Sequence, residues 1–211
     1  MADNKEEFLS PGGFYKGLKV YKYLVIIYDL TYIFIKRFLK DGDRTKDQME
    51  QAARSGKQNI SEGSNAGVIS KQSEIFLTNV AKASLKELLE DYEDYLRVRE
   101  LEQWDKNDER TFKTREGVIN RINNYNEEVI RSFHRIGYNR SDETLANIVL
   151  TMIHMADKML AGLQKRQQRD FLEKGGIKEQ MYKARLKARE EQFKREKNKN
   201  RNKDIDKDKL R

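Results

Sequence analysis

The chain has 211 residues with one proline and no cysteine; 37% of residues are hydrophobic, 37% are charged, and the net charge is +8. Without cysteine there is no disulfide, no thiolate metal site and no thiol nucleophile. A single proline leaves long helices uninterrupted.

The charge is unevenly placed. Residues 1–164 carry 25 Lys/Arg against 26 Asp/Glu, whereas residues 165–211 carry 18 against 9. The body is near neutral and the C-terminal end is basic. A basic end suits a polyanion, or it simply solubilises the chain.

The opening "MADNKEEFLSPGG" is acidic and polar, so residues 1–13 read as a flexible N-terminus and not as a signal peptide. The most apolar run, "YLVIIYDLTYIFI", is interrupted by Asp29 and is shorter than the roughly 20 residues a spanning helix needs. The expectation is a cytoplasmic protein with no membrane segment.

Helical spacing recurs along the chain and strand alternation does not. The first helix is predicted over about 15–40. Leu18, Tyr21, Val25, Tyr28, Tyr32, Ile35 and Leu39 form one apolar stripe, and Val20, Leu24, Ile27, Phe34 and Phe38 form a second beside it. A face this wide needs cover on more than one side, from a bundle or another subunit.

Gly42 breaks this helix, and Thr45 with Gln48 reads as a capping box that opens the second. The glycine-rich stretch "RSGKQNISEGSNAG" has a loop's composition, but Met49, Ala53, Gly56, Ile60, Gly63 and Gly67 alternate at steps of four and three. That spacing places the glycines on the seam of one helix, facing a close neighbour. It matches neither nucleotide-binding glycine pattern, and no strand precedes it. "NAGVIS" supplies a C-terminal glycine and a serine cap for a third helix.

The third helix is predicted over Lys71 to Arg99, with Leu77, Ala81, Leu85, Leu88, Tyr92 and Tyr95 facing inward. "QWDKNDER" interrupts the pattern. A fourth helix follows over about 109–136, carrying Phe112, Ile119, Ile122, Val129, Phe133 and Ile136. Ser141 is an N-cap for a fifth, with Leu145, Val149, Met152, Ala156, Met159 and Leu163 on its face and "EKGG" as its stop. A charged sixth helix spans about 178–197, and disorder is expected from Asn198.

The fold class is therefore all-α: an antiparallel up-and-down helical bundle with an extra C-terminal helix. Its expected parts are a four-helix-bundle domain over 14–172 with a helical insertion near 104–140, a basic helix over 173–197 and a disordered basic tail over 198–211.

"DRTKDQMEQAARSGKQNISEGS" followed by "SKQSEIFLTNVAKASLKELLEDYEDYLR" resembles the bacterial four-helix-bundle proteins, which include those encoded in intervening sequences of 23S ribosomal RNA genes. "LANIVLTMIHMADKML" and "FLEKGGIKEQMYKARLKARE" are similar to its four helix bundle suffix domain subfamily, and the resemblance covers roughly Pro11 to Glu190. It implies the bundle fold and, for that subfamily, no defined activity. More distantly the chain resembles the accessory variability protein of diversity-generating retroelements. That resemblance implies a homo-oligomer (there a pentamer), a basic nucleic-acid-binding surface and a reverse transcriptase as partner.

No residues compose a catalytic, cofactor or metal site. His134 and His154 fall on different helices, and neither has a glutamate three residues before it as in di-iron bundles. Glu87, Glu90, Asp91, Glu93 and Asp94 read as a solvated acidic face, with Arg97 able to pair with Glu93. Ser55, Ser61, Ser64 and Ser84 lack a nearby paired histidine. The candidate nucleic-acid contacts are Arg54 and Lys57, then Lys165, Arg166, Arg169, Lys183, Arg185, Lys187 and Arg189. Arg54 and Lys57 have salt bridges to Glu50 or Glu62 as their competing role. Met181, Tyr182, Leu186 and Phe193 could instead dock the tail on a partner. Two functional readings stand: an oligomeric, non-enzymatic binder of RNA or DNA, and a protein-interaction scaffold.

Overall fold

The computed structural model describes residues 14–208, so the expected flexible segment 1–13 and the last three residues lie outside the described part. A 3-10 turn, Phe14–Gly17, precedes seven helices: α1 (Lys19–Phe38), α2 (Thr45–Ala66), α3 (Lys71–Val98), α4 (Glu109–Asn123), α5 (Glu127–Asn139), α6 (Asp142–Lys174) and α7 (Ile177–Asp208). No strand occurs among the described residues, and none of their helices is long and apolar enough to cross a membrane.

α1 packs on α2 and α6, and α3 closes the ring by packing on both α2 and α6. The core lies inside this ring. It includes Leu24, Ile27 and Phe34 of α1, Met49 and Ile60 of α2, Leu85, Leu88 and Tyr92 of α3, and Val149, Met152 and Ala156 of α6. Phe34 meets the rings of Tyr92 and Tyr95 edge-on at 4.9 and 4.7 Å. The Tyr92 hydroxyl donates to Thr31 Oγ1 at 3.1 Å, so the buried phenol is satisfied.

Between α2 and α3 the glycine seam performs as its spacing predicts. A Cβ on Gly56 would lie 3.6 Å from Leu85 Cγ, and one on Gly63 would lie 3.2 Å from Leu77 Cβ. Small residues let the two backbones approach closely, and the pairs 56–85 and 63–77 show the helices running in opposite directions.

The second stripe of α1, through Val20, Leu24, Ile27 and Phe34, is buried, whereas Tyr32 of the first is 42% exposed. Tyr23, Ile26, Leu30 and Ile33 are buried as well. Cover on this extra side comes from the same chain: a Cβ on Gly137 of α5 would sit 3.0 Å from Ile33 Cδ1 and 3.1 Å from Leu30 Cδ2. Arg37 then donates to the carbonyls of Gly137 and Arg140, tying the end of α1 to α5.

Several local expectations change. The continuous helix over 109–136 is two helices. Asn126 is extended, and its Oδ1 accepts Val129 N–H at 2.9 Å, which ends one helix and caps the next. The face assigned there is correspondingly wrong at Phe112 and Ile119, which are 53% and 39% exposed; Thr111, Val118 and Ile122 are the buried residues of α4. Thr45 lies inside α2, and Asp43 Oδ1 accepts its N–H at 2.9 Å, so Asp43 does the capping. Gly42 supplies the preceding turn with φ +85°. Ser70 and Ser141 cap α3 and α6 as anticipated, accepting from Ser73 and Thr144. Gly175, at φ +71°, ends α6. The disorder expected from Asn198 gives way to helix, since α7 runs through Asp208.

Candidate nucleic-acid interface

The nine basic candidates fall in three places: the α1–α2 face, the end of α6, and α7. The first is the α1–α2 face. Arg54 is exposed, while Lys57 lies half-buried with Nζ 3.9 Å from the centre of the Tyr28 ring. Burial lowers the ammonium pKa, Asp29 opposes that shift, and Arg54 reinforces it. Neither residue forms an ion pair with Glu50 or Glu62 among the described residues; Glu62 instead takes Gln58 Nε2 at 3.0 Å. Lys57 is thus held by an aromatic face, as a cation–π pair. Burial of the Tyr28 hydroxyl and the nearby Glu50 carboxylate raise the pKa of that phenol.

Beside this pair runs a groove of about 310 Å³ lined by Tyr28, Asp29, Tyr32, Ile33, His134 and Tyr138. His134 Nε2 stands 2.9 Å from Asp29 Oδ2, and Lys36 Nζ lies 5.5 Å from the centre of the Tyr32 ring. Exposed aromatic rings flanked by cations can stack bases while the cations meet phosphates. The Asp29–His134 contact joins residues 105 apart, and no local pattern announces it. The only hint in the sequence was the leftover aromatic stripe of α1.

The second place is the end of α6. Lys165, Arg166 and Arg169 are exposed there, but the segment belongs to the folded body and is no loose tail. Gln167 between them is 6% exposed, and its Nε2 donates to Thr78 Oγ1 at 3.0 Å. The third place is α7, where Lys183, Arg185, Lys187 and Arg189 are all exposed. Successive residues on a helix turn by about 100°, so Lys183 and Lys187 share one side and Arg185 and Arg189 the other. Met181, Tyr182, Leu186 and Phe193 are also exposed, at 54%, 64%, 42% and 69%.

The carboxylates of α3 line a groove with α2 alongside Gln48, Gln51, Ser55 and Ser84. Burial raises the Asp91 pKa, and Asp94, Glu87 and Glu90 raise it further. Arg97 pairs with Asp94 at 2.6 Å, not with Glu93, whose Oε1 accepts from Gln103. Ser55 and Ser84 are hydrogen-bonded to each other at 2.9 Å, bridging the two helices. Among the described residues no three His, Asp or Glu side chains gather as a metal ion would require. No protein-family model, curated protein or solved structure matches the chain.

Proposed function

We propose that this chain is a non-enzymatic, oligomeric helical-bundle protein that binds RNA or DNA through the sugar–phosphate backbone, without reading sequence. In this reading α1, α2, α3 and α6 form an antiparallel up-and-down bundle, α4 and α5 are an insertion covering α1, and the protein works in the cytoplasm. The opposed directions of α2 and α3 support the bundle, and the resemblance to nucleic-acid-binding bundle proteins supports the class of partner.

The observation that carries the reading is α7. It presents Lys183, Arg185, Lys187 and Arg189 to solvent around a helix of 32 residues. Exposed cations repeated along a rod can follow a phosphate backbone, and each neutralised phosphate releases counterions. Interspersed acids such as Glu190 and Glu191 limit the affinity.

Filter binding with mixed-sequence oligonucleotides tests this. Binding falls steeply from 50 to about 200 mM salt, and a chain ending at Lys174 loses most of it. The cut belongs there because Gln167 is part of the body. Undiminished binding by the shortened chain, or none by the full chain at low salt, refutes the reading.

A second reading, a protein-interaction scaffold, rests on the same helix. Met181, Tyr182, Leu186 and Phe193 are uncovered apolar groups in one segment. If they hold a second copy together, removing α7 turns an oligomer into a monomer in light scattering while nucleic-acid binding is absent throughout.

A further inference from the structure

Tyr28, Tyr32 and Lys36 follow one another at steps of one turn on α1, a spacing that sets them in a row along the helix. Gly137 brings α5 close against this helix, since a Cβ there would lie 3.0 Å from Ile33 Cδ1. Its neighbour Tyr138 lines the same groove as Tyr28, Tyr32 and Ile33. The groove holds about 310 Å³. That is the low end of the range for small-molecule pockets, so it has room for a single ring system and not for a helix.

The three rings are not equally free. Lys57 Nζ sits 3.9 Å from the Tyr28 ring centre, so that ring is already engaged. Lys36 Nζ is 5.5 Å from the Tyr32 ring centre, near the outer limit of about 6 Å for such a contact. Among the described residues no other ring and no cation lies against Tyr138. Tyr32 is 42% exposed and Tyr138 is 60% exposed.

The charges around the groove select what can lie on these rings. Lys36, Arg54 and Lys57 form no ion pair among the described residues. Asp29, the carboxylate in the lining, already faces His134 Nε2 at 2.9 Å, and Glu50 acts on the Tyr28 hydroxyl at the α2 edge. An arginine side chain from a protein partner also stacks on tyrosine, but here it would meet three cations. A neutral aromatic ring that carries negative charge beside it suits both the rings and the cations, and a nucleobase on its sugar–phosphate chain is such a group.

We propose that Tyr32 and Tyr138 stack a base of a single-stranded nucleic acid whose phosphates pass Lys36, Arg54 and Lys57. The site rests on the nucleic-acid reading and extends it. α7 follows the backbone, whereas this groove takes an unpaired base, which a duplex keeps inside its own stack. Stacking tolerates any sequence, because every base has a π face.

Filter binding of the full chain at low salt tests this with two probes, a mixed-sequence single strand and an abasic strand of equal length. The intact strand binds about ten-fold more tightly, the loss typical of one base–aromatic stack. Tyr32→Ala and Tyr138→Ala each shrink that ratio and leave the affinity for the abasic strand unchanged, while Tyr32→Phe and Tyr138→Phe keep it. Both side chains are exposed, so the variants keep the fold, which circular dichroism verifies. Equal binding of the two strands overturns the stacking site and leaves the backbone reading standing. A ratio that both alanine variants retain in full also overturns the site. Binding of neither strand overturns both readings, and if the alanine variants then turn an oligomer into a monomer in light scattering, the groove belongs to a second copy.

Discussion

Asn147 of α6 accepts the backbone N–H of Trp104 through its side-chain oxygen at 2.8 Å, while its amide nitrogen donates to the carbonyls of Glu102 and Glu143. One buried side chain thereby fastens the loop between α3 and α4 onto α6. Two of its three side-chain bonds cross more than 40 residues of sequence, and it is 2% exposed.

Asn147→Ala should leave the Trp104 N–H and the Glu102 carbonyl without partners. The expected cost is about 2–4 kcal/mol, from lost bonds and a small cavity. Chemical denaturation measures it, and a red-shifted Trp104 emission before global unfolding would mark the freed loop. A cost below about 0.5 kcal/mol contradicts the role given to Asn147.

The two seam glycines should respond differently to alanine. At Gly56 the new methyl makes ordinary contact at 3.6 Å with the movable end of Leu85. Gly56→Ala therefore gains helix propensity, up to about 1 kcal/mol. At Gly63 the methyl meets Leu77 Cβ at 3.2 Å, an atom fixed to the backbone of α3. Gly63→Ala should lose about 1 kcal/mol net, because overpacking outweighs the propensity gain. Thermal melts of the two variants should move in opposite directions; melts that rise together would mean that α3 yields freely.

Asp91 has its pKa raised by burial and then by Asp94, Glu87 and Glu90. A carboxyl raised in the folded state makes stability fall as pH climbs through the carboxylate range. At pH 7 Asp91→Asn should stabilise by about 0.5–1 kcal/mol, by removing repulsion along the helix. Below the ordinary aspartate pKa the gain should vanish, since the proton is then bound in both states. Melting curves at pH 7 and near pH 3, each at low and high salt, check this; a gain that is independent of pH excludes a charge effect.

Glu100 follows the end of α3 with φ +55°, the left-handed conformation that favours glycine. Leu101 N–H reaches back to Leu96 C=O at 2.9 Å, completing the helix stop. Glu100→Gly should raise stability by about 1 kcal/mol. Glu100→Val should lower it, because a branched side chain resists that conformation. Equal midpoints for the two variants in urea would show that the turn is not strained.

How much of this could be read from the chain alone depends on distance along it. Helix periodicity, the Ser70 and Ser141 caps, the Gly175 stop and the glycine seam each arise within a few turns, and all were legible. The break at Asn126 was legible in principle, since an asparagine before two glutamates is a capping signal, but the apolar spacing of 119–136 bridged it. The Thr45 cap failed because Asp43, two residues earlier, competes for the same N–H.

Charge placement and all-helical character belong to the sequence by itself, because they follow from composition and local hydrogen bonding. Which stripe of α1 is buried, the pairing of Asp29 with His134 and the shared groove of Tyr32 and Tyr138 were decided only in three dimensions. Each joins residues on separate helices, and packing, with the partners it leaves to buried polar groups, selects among faces that periodicity alone cannot rank.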